Sequence, residues 1–150
     1  MNNESKRVIS ALKQTWHRVD ILYNSYAKSV GLNFTTLMVL ELVCDSDENL
    51  TQKDICEKLD LPKQLVNTII TSLWKQGYVK LKEATNRRNK NIFVTDEGKE
   101  YIASVCEPLE DVELAAWEGF SAEEIIIYAD IMERYANAFE NVLRESNPTR

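Results

Sequence analysis

At 150 residues, with 44% hydrophobic and 28% charged side chains, the chain is long and apolar enough to bury its own core, which excludes a disordered protein. Its longest apolar runs, Leu37 to Leu40 and Ile125 to Ala129, fall far short of the roughly 20 residues a membrane-spanning helix needs, so no membrane partner is expected. The net charge of −6 hides an asymmetry: residues 51–95 carry nine basic and four acidic side chains, a net of +5, and the rest of the chain is −11. One basic module on an acidic body points to a polyanionic partner met at a single place.

The opening stretch MNNESKRV is polar and lacks the apolar segment of a secretion signal, so the cytoplasm is the expected location. From Ile9, apolar residues recur at steps of three and four through Leu12, Trp16, Val19, Tyr23, Tyr26 and Val30, a helical seam that Gly31 stops. Asn33 is placed to cap a second helix through Leu37, Leu40 and Val43, and the polar stretch DSDEN reads as a loop. Thr51 caps a third helix with Asp54 in a capping-box position and Leu50 and Ile55 as a hydrophobic staple. That helix ends near Leu59. Pro62 opens a fourth, which carries Val66, Ile69, Ile70 and Leu73 on one face and closes at Gly77.

Two short helices joined by so tight a turn make a helix-turn-helix. The segment from Tyr78 to Lys82 then reads as a strand, EATNRRNK as a hairpin loop and Asn91 to Val94 as the returning strand, which together form a wing. Thr95 caps a further helix through Tyr101, Ile102 and Val105, and Pro108 is expected to kink it before Trp117. Ser121 and Glu124 form a capping box, and Phe120 and Ile125 a staple, at the start of the last helix, whose seam runs Ile125, Ala129, Met132, Ala136, Phe139 and Leu143. The predicted fold is mainly α with a small β-wing. It divides into an N-terminal dimerisation helix (1–32), a winged lobe (33–95) and C-terminal dimerisation helices (96–150), in a single compact domain overall. The wide apolar faces of the terminal helices predict a homodimer, because a second copy would cover what the small lobe leaves exposed.

With Val66, Ile69, Ile70 and Leu73 turned inward, Gln64, Asn67, Thr68, Thr71 and Lys75 fall on the opposite face of the fourth helix. Amides suit adenine, threonine suits base edges or the thymine methyl, and lysine neutralises phosphate. Gln52 and Lys63, at the starts of the third and fourth helices, join this candidate double-stranded-DNA face. Arg87, Arg88 and Lys90 are expected at the hairpin tip, where arginine suits a narrow minor groove. The same basic patch also suits an acid-rich protein surface, so a protein-association module stays open.

Three cysteines, Cys44, Cys56 and Cys106, are widely spaced, and His17 is the only histidine. That pattern argues against a disulfide framework or a zinc site, and buried structural cysteines are expected. A glycine-rich phosphate loop and a nucleophile motif are both missing, so neither enzyme nor cofactor is expected.

The stretch LTQKDICEKLDLPKQLVNTIITSLWKQGYV, followed by NRRNKNIFVTDEG, resembles the MarR family of bacterial winged helix-turn-helix regulators. In that family the wing carries Asp-x-Arg, then a strand ending in Leu-Thr and a glycine; the corresponding residues here are Asn86, Arg88, Val94, Thr95 and Gly98. The resemblance implies that Arg88 reaches DNA, that a dimer represses transcription from a palindromic operator, and that a small aromatic or lipophilic ligand releases it. Trp16, His17, Tyr23, Tyr26 and Phe34 are candidates to line a ligand pocket, and their helical spacing suits core packing equally. Two departures stand out: the family's aspartate is Asn86, and the arginine often found before the wing is Leu81.

Overall fold

A computed structural model of the protein describes residues 2–44, 50–83 and 90–146. The elements run α1 (Asn3–Ser29), α2 (Phe34–Cys44), α3 (Gln52–Leu59), α4 (Lys63–Lys75), β1 (Val79–Glu83), β2 (Lys90–Val94), α5 (Asp96–Trp117) and α6 (Ala122–Ser146). Residues 1–109 and 110–150 form two compact units. Among the described residues, no single helix is long and apolar enough to cross a membrane.

The buried core lies in the first unit. Four residues of α2 (Leu37, Val39, Leu40 and Val43) are buried, with Phe34 and Leu42 half-buried against them, the pattern of a helix enclosed on nearly every side. Ile55 of α3 and Val66, Ile69, Ile70 and Leu73 of α4 pack into the same core. From α5 come Ile102, Val105 and Leu109. The strands pair antiparallel, Leu81 opposite Ile92 and Glu83 opposite Lys90. Leu50 and Thr51 lie along the outer edge of β2, where the Ile92 amide donates to the Leu50 carbonyl at 2.8 Å.

The sequence signals for helix starts are present as bonds. The Thr36 amide donates to Asn33 Oδ1 at 2.9 Å, and the capping boxes at Thr51/Asp54 and Ser121/Glu124 are both closed. Three expectations need correction. The first helix begins six residues before Ile9, capped by Asn2, whose Oδ1 accepts from the Ser5 amide at 2.8 Å. Pro62 stands just outside α4 with an extended ψ of 135°, so Lys63 is the first helical residue. Lys90 is not at a hairpin tip: it is the first residue of β2, because the ladder continues through the polar pair Glu83 and Lys90. The loop residues 45–49 and 84–89, including Asn86, Arg87 and Arg88, lie outside the described residues.

Nor are the cysteines the buried set that was expected. Cys44, at the end of α2, is exposed, and Cys56 and Cys106 are half-buried. The long helical seams are likewise covered only in part. In α1, Ala27 is buried and Tyr23, Tyr26 and Val30 are half-buried, while Ile9, Leu12 and Val19 stand exposed. Tyr26 packs with a purpose: its hydroxyl donates to the Val105 carbonyl at 2.6 Å. It does so three residues before Pro108, which itself supplies no N–H to the α5 ladder.

Gly98 sits where α5 begins. A Cβ built there would stand 1.9 Å from the Tyr78 carbonyl oxygen, so the first turn of α5 can lie against the chain leaving α4 only without a side chain. Gly98→Ala should therefore destabilise the protein by about 1–3 kcal/mol, the usual range for overpacking. Urea unfolding of the two proteins checks this, and an unchanged midpoint would show that the contact can relax.

Candidate nucleic-acid interface

Two i, i+4 pairs and the base of the wing build one cleft. Gln52 and Cys56 share a face of α3, Lys63 and Asn67 share a flank of α4, and Leu81 and Lys90 come from facing strands of the wing. With Thr51 and Lys53 these residues line a cleft of about 460 Å³. It holds three lysines. Lys53 is paired with Glu57 at 3.3 Å on the α3 surface, an exposed pair of little energetic weight. Lys63 and Lys90, both exposed, show no ion pair among the described residues. The start of α4 has no side-chain cap, and in its first turn the Leu65 amide donates to the Pro62 carbonyl at 2.9 Å.

Beside the cleft, α4 presents Gln64, Asn67, Thr68 and Lys75 to solvent, with Thr71 half-buried. The Thr68 hydroxyl is turned back onto the helix, donating to the Gln64 carbonyl at 2.9 Å. The structure therefore gathers Gln52, Lys63, Asn67 and Lys90 around one cleft and sets Gln64, Thr68, Thr71 and Lys75 along the adjoining helix. Leu65, 39% exposed on α4, was not among the residues predicted for this face, nor were Lys53 and Leu81. The inward set of α4 was read as Val66, Ile69, Ile70 and Leu73, and Leu65, about 100° round the helix from Val66, was assigned to neither face.

Of the candidate ligand-pocket residues, Tyr23 and Phe34 meet with ring centroids 5.8 Å apart, and Tyr26 packs nearby on the same core. Trp16 is half-buried and His17 exposed, and none of the five lines the cleft described above. A second cleft, about 420 Å³, lies behind the wing among Val43, Leu50, Phe93, Ile102 and Lys99.

Residues 30–88, covering α2 to the wing, match the MarR family model. A MarR family regulator from Neisseria meningitidis has the same fold over 91% of this chain and 98% of its own, with a TM-score of 0.72 and 26% identity. Over residues 30–88 the chain is similar to the MarR family. A MarR family transcriptional regulator from Streptomyces coelicolor, solved in complex with DNA, aligns with a TM-score of 0.73 at 16% identity, over 92% of this chain and 89% of that one. A Rhodococcus jostii protein solved bound to p-coumaroyl-CoA aligns at 0.64 and 21% identity, over 84% and 88%. No curated protein matches the chain by sequence.

In this lobe the capping box at Thr51 does two jobs: it starts the helix that carries Gln52, Lys53 and Cys56, and it fixes that start beside β2. The Thr51 hydroxyl and amide donate to Asp54 Oδ2 at 2.7 and 2.8 Å, and the Asp54 amide donates back to Thr51 Oγ1 at 3.2 Å. Those hydrogen bonds, the hydroxyl's first and the amide's second, hold the Asp54 carboxyl below the usual carboxylate range. A lowered carboxyl pKa stabilises the fold above the ordinary carboxylate range, and that contribution is lost as pH falls through the lowered value. Asp54→Asn should thus be less stable than the parent by about 1 kcal/mol at neutral pH, and the gap should close in acid. Thermal unfolding followed from pH 7 downward checks this; a gap independent of pH would remove the carboxylate from the explanation.

Proposed function

We propose that this chain is a sequence-specific double-stranded-DNA-binding transcriptional regulator that acts as a homodimer. The observation that carries the reading is the cleft itself. Lys63 and Lys90, from separate elements, converge with Gln52 and Asn67 beside an α4 face that carries no carboxylate. Lysines position a duplex through its phosphates, and the α4 side chains read base edges in the major groove. Arg88 of the wing extends the contact into the flanking minor groove.

Dimerisation is supported by apolar surface that each unit leaves uncovered. Val8, Ile21 and Leu22 of α1 are exposed, as are Ile126, Ile131, Tyr135, Phe139 and Val142 of α6. No residue of α6 is buried, although its apolar seam spans most of its length. A second copy is the economical cover for surface of this extent, and two-fold symmetry pairs the two α4 helices with an inverted-repeat operator. Repression by occupying a promoter follows, with release by a small aromatic or lipophilic ligand that favours a different splay of the two lobes. The complex of a structural neighbour with p-coumaroyl-CoA supports this ligand class.

The test is binding of the purified protein to duplex DNA across a salt series. Affinity should fall steeply with salt, and Arg88→Ala should weaken binding to every sequence while reducing the logarithmic salt slope by about 1. Salt-insensitive binding, or an Arg88→Ala protein indistinguishable from the parent, would contradict the reading and turn attention to an acid-rich protein partner.

A further inference from the structure

Beyond Lys63, which lines the cleft, the outward side chains in the first half of α4 are of two chemical kinds. Gln64 and Asn67 carry primary amides. Leu65 and Thr68 offer hydrocarbon: Leu65 is 39% exposed, and the proton of the exposed Thr68 hydroxyl is engaged with the Gln64 carbonyl, which leaves its methyl as the second group it can offer. From Lys63 to Lys75 there is neither an arginine nor a carboxylate.

The major groove gives these groups definite partners. Adenine presents an acceptor and a donor side by side, the complement of an amide, and thymine presents a methyl group. Guanine presents two acceptors and is best matched by arginine or lysine, while the cytosine amino group calls for a carboxylate. Of the two lysines of α4, Lys63 lines the cleft beside Asn67 and Lys75 lies in the last turn. In a helix-turn-helix it is the N-terminal residues of the second helix that reach base edges.

We infer that the half-site read by α4 is built of A·T pairs, with Gln64 and Asn67 on adenines and Leu65 and Thr68 on thymine methyls. The inference rests on the reading of the chain as a DNA-binding regulator and specifies which DNA it selects. Leu65, apolar yet outside the buried set of α4, thereby becomes a specificity-determining residue that tells thymine from a pyrimidine lacking the methyl.

The experiment is selection of the full chain against a duplex library with a randomised centre at near-physiological salt, followed by binding to synthetic versions of the winning site. An inverted repeat with A·T-rich half-sites is expected. Replacing a contacted thymine by deoxyuridine should weaken binding about fourfold, the equivalent of one buried methyl at about 0.8 kcal/mol. Leu65→Ala, verified as folded by circular dichroism, should lose the distinction between the two bases at one position. Asn67→Ala should cost about five- to a hundredfold at the preferred site and relax selection at a single A·T pair. Enriched repeats with G·C pairs at the α4 positions, or deoxyuridine sites bound as tightly as the parent site, would overturn the A·T assignment and leave DNA binding intact. A folded protein that enriches no sequence at all would overturn the regulator reading on which the assignment depends.

Discussion

Four elements meet at one small joint, and the geometry of the cleft depends on it. The Thr95 amide donates to the Tyr78 carbonyl at 3.0 Å, its hydroxyl donates to the Gly77 carbonyl at 2.7 Å, and the Gly98 amide donates to that same hydroxyl at 3.0 Å. The end of α4, the first residues of the wing, the last residues of the wing and the first turn of α5 are thereby tied through a single threonine. Tyr78 and Tyr101 stack over the joint with ring centroids 4.2 Å apart. Because Gly77 takes a positive φ of 81°, the chain reverses sharply after α4, and β1 returns beside the helix that it has just left. Without that reversal Leu81 and Lys90 would not face Lys63 and Asn67.

Charge distribution then decides what the cleft can meet. Residues 51–95 carry a net charge of +5 against −11 for the rest of the chain, so on the proposed reading a duplex is drawn to the side that bears the cleft. On the proposed reading the cleft lysines meet phosphates and the amide side chains of α4 meet bases, with Lys63 and Leu65 on opposite flanks of Gln64.

Local features of this arrangement were legible in the sequence. The caps at Asn33, Thr51, Thr95 and Ser121 are short-range chemistry, and each forms the bond its residue type implies. The inward set of α4 follows from a strict helical period and is buried as read. What escaped depends on contacts distant in sequence or on pairing register. Lys90 looked like loop because Glu83 and Lys90 are both polar, yet a ladder is set by its backbone partners. Lys53 and Leu81 became cleft residues only once α3, α4 and the wing were packed together. Cys56 was expected inside, since cysteine is usually buried, but its turn of α3 opens onto the cleft. The apolar seams of α1 and α6 were legible as helical periodicity, and their exposure in one copy of the chain is what the proposed dimer accounts for.

The central claim is that two copies of this face engage one duplex together. Hydroxyl-radical footprinting of the full chain on a bound DNA fragment tests it most directly. Two protected windows centred about one helical turn apart, roughly 10 base pairs, and lying on one side of the duplex are expected. A single isolated window, or protection spread evenly along the fragment, would contradict the paired recognition on which the proposed function is built.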